Sequence, residues 1–224
     1  KDLAKVLILG EKQTMKKMLV RAAILAMFTT GTAAAVGIAG AGTALACGED
    51  HTRSDQLAAS LPQVNYGQHG EHVLGLQLAL RRAGYTNLQG TGNYATNTLS
   101  AVRDFQRKHG IKDSGIVGSK TWHALVGPVP GTLTGNGGLQ LPGFGITPGE
   151  HNSDKMSELM NALQRLYPYY THDLPYENGT YGPQTQKIVK DFQRRAGIKA
   201  SGIVGPKTWH AMYEVIAVSA SWGC

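Results

Sequence analysis

Cysteine is almost absent: the 224 residues hold two, Cys47 and Cys224. That excludes a disulfide-stapled scaffold and any four-cysteine zinc site. Aromatic residues make up only 7% of the chain and charged residues 17%. No HExxH pair, CxxC…HxxxH spacing or GxSxG elbow occurs. The carboxylates are scattered, with no matched pair for glycoside hydrolysis. Gly90-x-Gly92-x-x-Ala95 has the spacing of a dinucleotide fingerprint, but no strand pattern precedes it. His69 and His72, near Glu71, read as exposed residues at a helix start rather than a metal pair. These absences argue against an enzyme, a cofactor and a metal.

Charge is missing from one long run, Ala22 to Ala46. Lys16, Lys17 and Arg21 flank it on one side, and Ala44-Leu45-Ala46 closes it. In layout, residues 15–46 are a secretory signal peptide. Their many Gly, Ala and Thr residues make a poor membrane anchor. Lys1 to Thr14 reads as an upstream extension with no clear role. The formal charge of +7 is largely a property of this leader. Residues 1–46 hold six Lys/Arg against two Asp/Glu, which leaves 16 against 13 in the remainder. A net of +3 (16 − 13) excludes the lopsided charge of a nucleic-acid binder. Cys47 and Cys224 would then stand at the two ends of the exported chain. Two readings stay open: a disulfide between them, or lipidation of Cys47, although Ala44 stands where a lipobox carries Leu, Val or Ile.

What the chain does have is a repeat. DFQRKHGIKDSGIVGSKTWHAL runs from Asp104 and returns from Asp191 as DFQRRAGIKASGIVGPKTWHAM. Gly92 to Leu125 aligns with Gly179 to Met212 without a gap, with 21 of 34 positions identical. Upstream, Gln77 aligns with Gln164. Two copies of about 60 residues are too few and too long for a solenoid, so two small domains are expected, 64–126 and 150–214. A spacer, 47–63, precedes them; a Gly/Pro-rich linker, 127–149, joins them; 215–224 is read as a tail.

The period inside each unit is helical. Met156, Leu159, Met160, Leu163 and Leu166 form one apolar stripe, with Ser153 as its N-cap, and Val73, Leu76 and Leu80 form its counterpart. A second helix buries Thr98, Ala101, Val102 and Phe105, or Thr185, Ile188, Val189 and Phe192. Pro183 suits the start of that helix, and Gly110 and Gly197 suit its end. A short third helix carries Trp122 or Trp209. The fold class expected is all-α, two tandem three-helix bundles, with Phe105, Trp122, Phe192 and Trp209 in their cores.

Each unit resembles the three-helix peptidoglycan-binding module of bacterial and phage cell-wall enzymes. The residues carrying the resemblance are Leu76-Gln77, Gly84-Tyr85, Gly92-Asn93-Tyr94, Phe105-Gln106, Gly115-Ile116-Val117-Gly118 and Thr121-Trp122. Their counterparts are Leu163-Gln164, Gly179-Thr180-Tyr181-Gly182, Phe192-Gln193, Gly202-Ile203-Val204-Gly205 and Thr208-Trp209. Ala95, Ser114 and Ser201 depart from the pattern, and the second unit has YPYYTHDLPYENG in place of Gly-Tyr. The resemblance implies a helical module that docks on peptidoglycan and does no chemistry; with the leader and the repeat, the reading is a secreted or wall-associated monomer that binds peptidoglycan through two modules. Alternatives are the targeting portion or a degenerate relative of a wall hydrolase or phage lysin, and a protein-binding helical pair.

Sugar faces stack on aromatic rings, and amides need hydrogen-bonding groups on a rigid frame. The turn before the second helix offers both: Asn93, Tyr94 and Asn97 in one unit, Thr180, Tyr181 and Gln184 in the other. Tyr169, Tyr170 and Tyr176 could extend that surface, and Arg103, Arg107, Lys190 and Arg194 could meet carboxylates. The competing reading makes the turn residues caps and loop closures, with Tyr94 and Tyr181 closing the core.

Overall fold

The computed structural model describes residues 52–126, 140–166, 174–175 and 177–219. The leader, both cysteines, Tyr169, Tyr170 and Tyr176 lie outside them. The described residues form helices and isolated bridges, with no strand: α1 (Thr52–Ser60), α2 (Glu71–Arg82), α3 (Thr96–Lys108), α4 (Ser119–Leu125), α5 (Ser153–Arg165), α6 (Pro183–Arg195) and α7 (Pro206–Ser219). None of these helices is long and apolar enough to cross a membrane.

The first module is α2, α3 and α4; the second is α5, α6 and α7. Phe105, Trp122, Phe192 and Trp209 are all buried. Each indole N–H finds a carbonyl in the arm before its module: Trp122 Nε1 donates to Pro62 O at 2.9 Å, Trp209 Nε1 to Phe144 O at 2.7 Å. The arms close with matched bridges, Val64 to Val117 and Ile146 to Val204. Pro183 opens α6, where its missing N–H costs nothing. Gly110 and Gly197 follow the second helices with φ of 66° and 71°, the left-handed conformation a helix stop needs. The cap of α5 is Asn152, whose side chain accepts from Lys155 N, one residue earlier than expected.

Three boundaries move. The spacer 47–63 contains α1, which packs on α4 and contributes Leu57 and Ala58 to the first core. The end of the linker belongs to the second module, because Ile146 is buried against it. Residues 215–219, read as tail, continue α7 and are buried throughout.

That last extension joins the modules. Every residue from Val73 to Leu80 of α2 is buried, a pattern that requires neighbours on all sides. α7 supplies the second neighbour. Leu74 and Leu78 of α2 sit in the second module's core, while Ala217 and Val218 of α7 sit in the first's. Burial of Leu74, Leu78 and Val218 contributes about 2 kcal/mol each, so the modules form one packed body rather than beads on a flexible tether. The seam also excludes side chains: a Cβ on Gly92 would lie 1.9 Å from Arg195 O.

Candidate ligand-binding surface

The duplicated SGIVG segment is built identically in both modules. A buried glutamine from the second helix reaches across to it. Gln106 Nε2 donates to Ile116 O at 2.8 Å and to Thr121 Oγ1 at 3.0 Å, and Gly115 N donates back to Gln106 Oε1 at 3.0 Å. Gln193 makes the same bonds to Ile203 O, Thr208 Oγ1 and Gly202 N, at 2.9, 3.0 and 2.9 Å. A tyrosine hydroxyl takes the preceding carbonyl: Tyr94 OH donates to Gly115 O at 2.5 Å, Tyr181 OH to Gly202 O at 2.6 Å. Gly115 and Gly202 both have φ of 77°, and a Cβ there would strike Leu99 or Lys190. Residues in extended backbone alternate sides, so Val117 and Val204 point inward and are fully buried. Ile116 and Ile203 point outward, 44% and 47% exposed, at equivalent positions.

Around Ile116 lies a cleft of about 470 Å³ that includes Ile111, Lys112, Ser114 and Lys120. The repeat places Ile198, Lys199, Ser201 and Lys207 at the same positions about Ile203. All four lysines are exposed. In the first module an exposed isoleucine shares its cleft with two lysines, and the repeat carries the same residue types around Ile203, each on a loop held from behind by glutamine and tyrosine.

The turn residues singled out from sequence divide. Tyr94 and Tyr181 are not sugar platforms: they are 1% and 0% exposed, with their hydroxyls used inside. Burial pushes both phenols well above their ordinary range. Asn93, Asn97 and Gln184 are exposed, whereas Thr180 is half-buried and its hydroxyl meets His151 Nδ1 at 2.9 Å. Two of the four helix bases are engaged in ion pairs: Arg107 with Asp104 and Asp113, Arg194 with Asp191. The Gln77–Gln164 alignment does not survive folding. Gln77 is buried and bonds Gly92 N, Asn93 O and Thr98 Oγ1, whereas Gln164 is exposed. Glu177 takes that place in the second module, accepting from Thr185 N and Oγ1.

Among the described residues, the exposed aromatic ring was missed. Tyr66 is 59% exposed and lies edge-on to Tyr94, ring centroids 6.3 Å apart. Its only signal was a tyrosine in a polar NYGQ turn just before the first helix. The second module has Pro148 in the matching turn and instead opens a cleft of about 500 Å³ along its arm, with Phe144, Lys155, Glu158 and Tyr213 on its walls. Lys155 Nζ stands 5.5 Å from the Phe144 ring centre. The Tyr213 hydroxyl donates to Glu158, and its phenol is pushed up by burial first and then by that carboxylate.

Two regions, 69–125 and 152–212, match the model of a family described as "putative peptidoglycan binding domain". Together they cover more than half of the chain. The chain belongs to this family. Its peptidoglycan-binding modules coincide with the two helical bundles. Among curated proteins, it is 32% identical over 157 residues to a "probable N-acetylmuramoyl-L-alanine amidase" of Bacillus licheniformis, a match covering 67% of this chain and 44% of the relative. It is 32% identical over 154 residues to N-acetylmuramoyl-L-alanine amidase CwlL of the same species, 63% of this chain and 42% of the relative. It is 29% identical over 176 residues to N-acetylmuramoyl-L-alanine amidase CwlM of Mycobacterium tuberculosis, 77% of this chain and 38% of the relative. The chain thus spans less than half the length of these relatives.

Proposed function

We propose that the chain is exported and holds peptidoglycan through its two SGIVG loops, without chemistry of its own. The observation carrying this is the duplication of the Ile116 and Ile203 loops, with their lysines, inside a family of peptidoglycan-binding domains. Stem peptides present methyl groups beside carboxylates. An exposed isoleucine that shares a cleft with two lysines is complementary to that pairing. Tyr66 adds a ring on which a sugar face can stack in the first module. Two weak sites on one body retain a polymer better than either alone. Because the modules are packed together, the benefit depends on ligand spacing as well as on number.

A second reading has its own support. The relatives named as amidases are more than twice as long as their matched portions, which supports reading this chain as the targeting portion of such a hydrolase. One experiment tests both, since each requires binding without chemistry in this chain. The full chain is mixed with purified insoluble peptidoglycan, and both pelleted protein and soluble muropeptides are measured. Pelleting without release is the expected result. Release of muropeptides would replace the binding-only account with a hydrolase, and protein left in the supernatant would reject both.

A further inference from the structure

At the seam between the modules, Glu71 and His72 open α2 directly opposite His210 and Glu214 of α7. His72 Nδ1 hydrogen-bonds Glu214 Oε1. Donor atoms of Glu71, His72 and Glu214 all lie within 4.8 Å of one another. His210 Nδ1 is 3.7 Å from Glu214 Oε2 and 3.9 Å from Glu71 Oε1. Glu214 is only 7% exposed, while Glu71 and His72 are half-buried. Four metal-ligating side chains thus converge at one point of the seam, with Glu214 buried beneath them and His210 at the exposed rim.

We propose that these four residues form a zinc site that clamps the two modules together. Two imidazole nitrogens and two carboxylates are a donor set that suits tetrahedral Zn²⁺. Donors on such an ion sit about 3.3 Å apart, from bond lengths of about 2.0–2.2 Å. Glu71, His72 and Glu214 are already gathered, and His210, 3.7 and 3.9 Å from the two carboxylates, would swing in from the rim as the fourth donor. The two halves of the site come from different modules, so metal binding adds a cross-link exactly where α2 and α7 already meet. The site is specific to the seam rather than to the family repeat: His123, the counterpart of His210, pairs with Asp55 at 3.0 Å, and the position matching Glu214 is Gly127. The inference stands whatever the modules bind.

The test uses the untagged full chain, stripped with a chelator and titrated with ZnCl2, MgCl2 and CoCl2. The expected result is a rise in Tm with Zn²⁺ but not Mg²⁺, and a visible Co²⁺ band of tetrahedral intensity at one ion per chain. Both responses should disappear in Glu71→Gln and in His210→Gln, whose circular dichroism should match the parent. Should one variant fail to fold, the other decides. No response in the parent overturns the proposal, as does an equal response to Mg²⁺. So does a Zn²⁺ or Co²⁺ response that persists in the folded variants, because the ion then binds elsewhere.

Discussion

Gln106 and Gln193 each hold three hydrogen bonds behind a loop that points one isoleucine outward. Removing such a side chain leaves buried backbone groups unpaired, each at a cost of about 1–3 kcal/mol. Gln106→Ala is therefore expected to destabilise the chain by about 3 kcal/mol, measured by urea unfolding, while Gln164→Ala, on an exposed glutamine, should change stability by less than about 0.5 kcal/mol. The tyrosines predict a pH dependence. Tyr94 and Tyr181 have folded-state pKa values raised by burial, so the folded chain keeps protons that the unfolded chain loses above about pH 10. Their contribution is intact below that pH and is lost as pH rises towards the folded-state value. A Tyr94→Phe, Tyr181→Phe double variant should be less stable at pH 8 and show a flatter alkaline decline. An unchanged decline would mean that these hydroxyls are not held inside. Neither tyrosine's role was legible from type alone, because a turn tyrosine looks the same whether its ring faces a ligand or the core. The legible clue was its constant spacing, in both copies, from the glycine whose carbonyl it takes.

At the scale of elements, the helices were legible because their apolar periods and punctuation agree: Pro183 starts one, and Gly110 and Gly197 stop two. The seam was less so. VLGLQLAL in α2 is a nearly continuous apolar run, whereas a helix with one buried face shows a stripe. That excess was the trace of a second partner. Its partner, YEVIAVS at the end of α7, lies beyond the repeat and carries no counterpart in the first module. Glycine substitutions test the seam. Gly92 has φ of 72° and no room for a Cβ beside Arg195, whereas Gly67 has φ of 88° and open space. Gly67→Ala should cost about 1–2 kcal/mol from backbone strain alone. Gly92→Ala should cost more than that and should raise the radius of gyration in X-ray scattering as the modules part. Equal costs with no change in size would contradict a packed seam.

At the scale of the whole molecule, duplication has been joined to rigidity: two copies of one loop are carried on a body whose modules share core residues. The paired fold was readable from the repeat, but the fixed geometry was not, because a Gly/Pro-rich connection suggests independent motion. The central claim is that Ile116 and Ile203 are two footholds on the same polymer. Both are exposed, so Ile116→Ser and Ile203→Ser should leave stability within about 0.5 kcal/mol of the parent. The most direct measurement is co-sedimentation of the full chain and these variants with purified peptidoglycan across a range of polymer concentrations. The account predicts that each single variant weakens retention and that the double variant remains in solution. Full retention of the double variant, with its fold intact, would contradict the account and place the binding surface elsewhere.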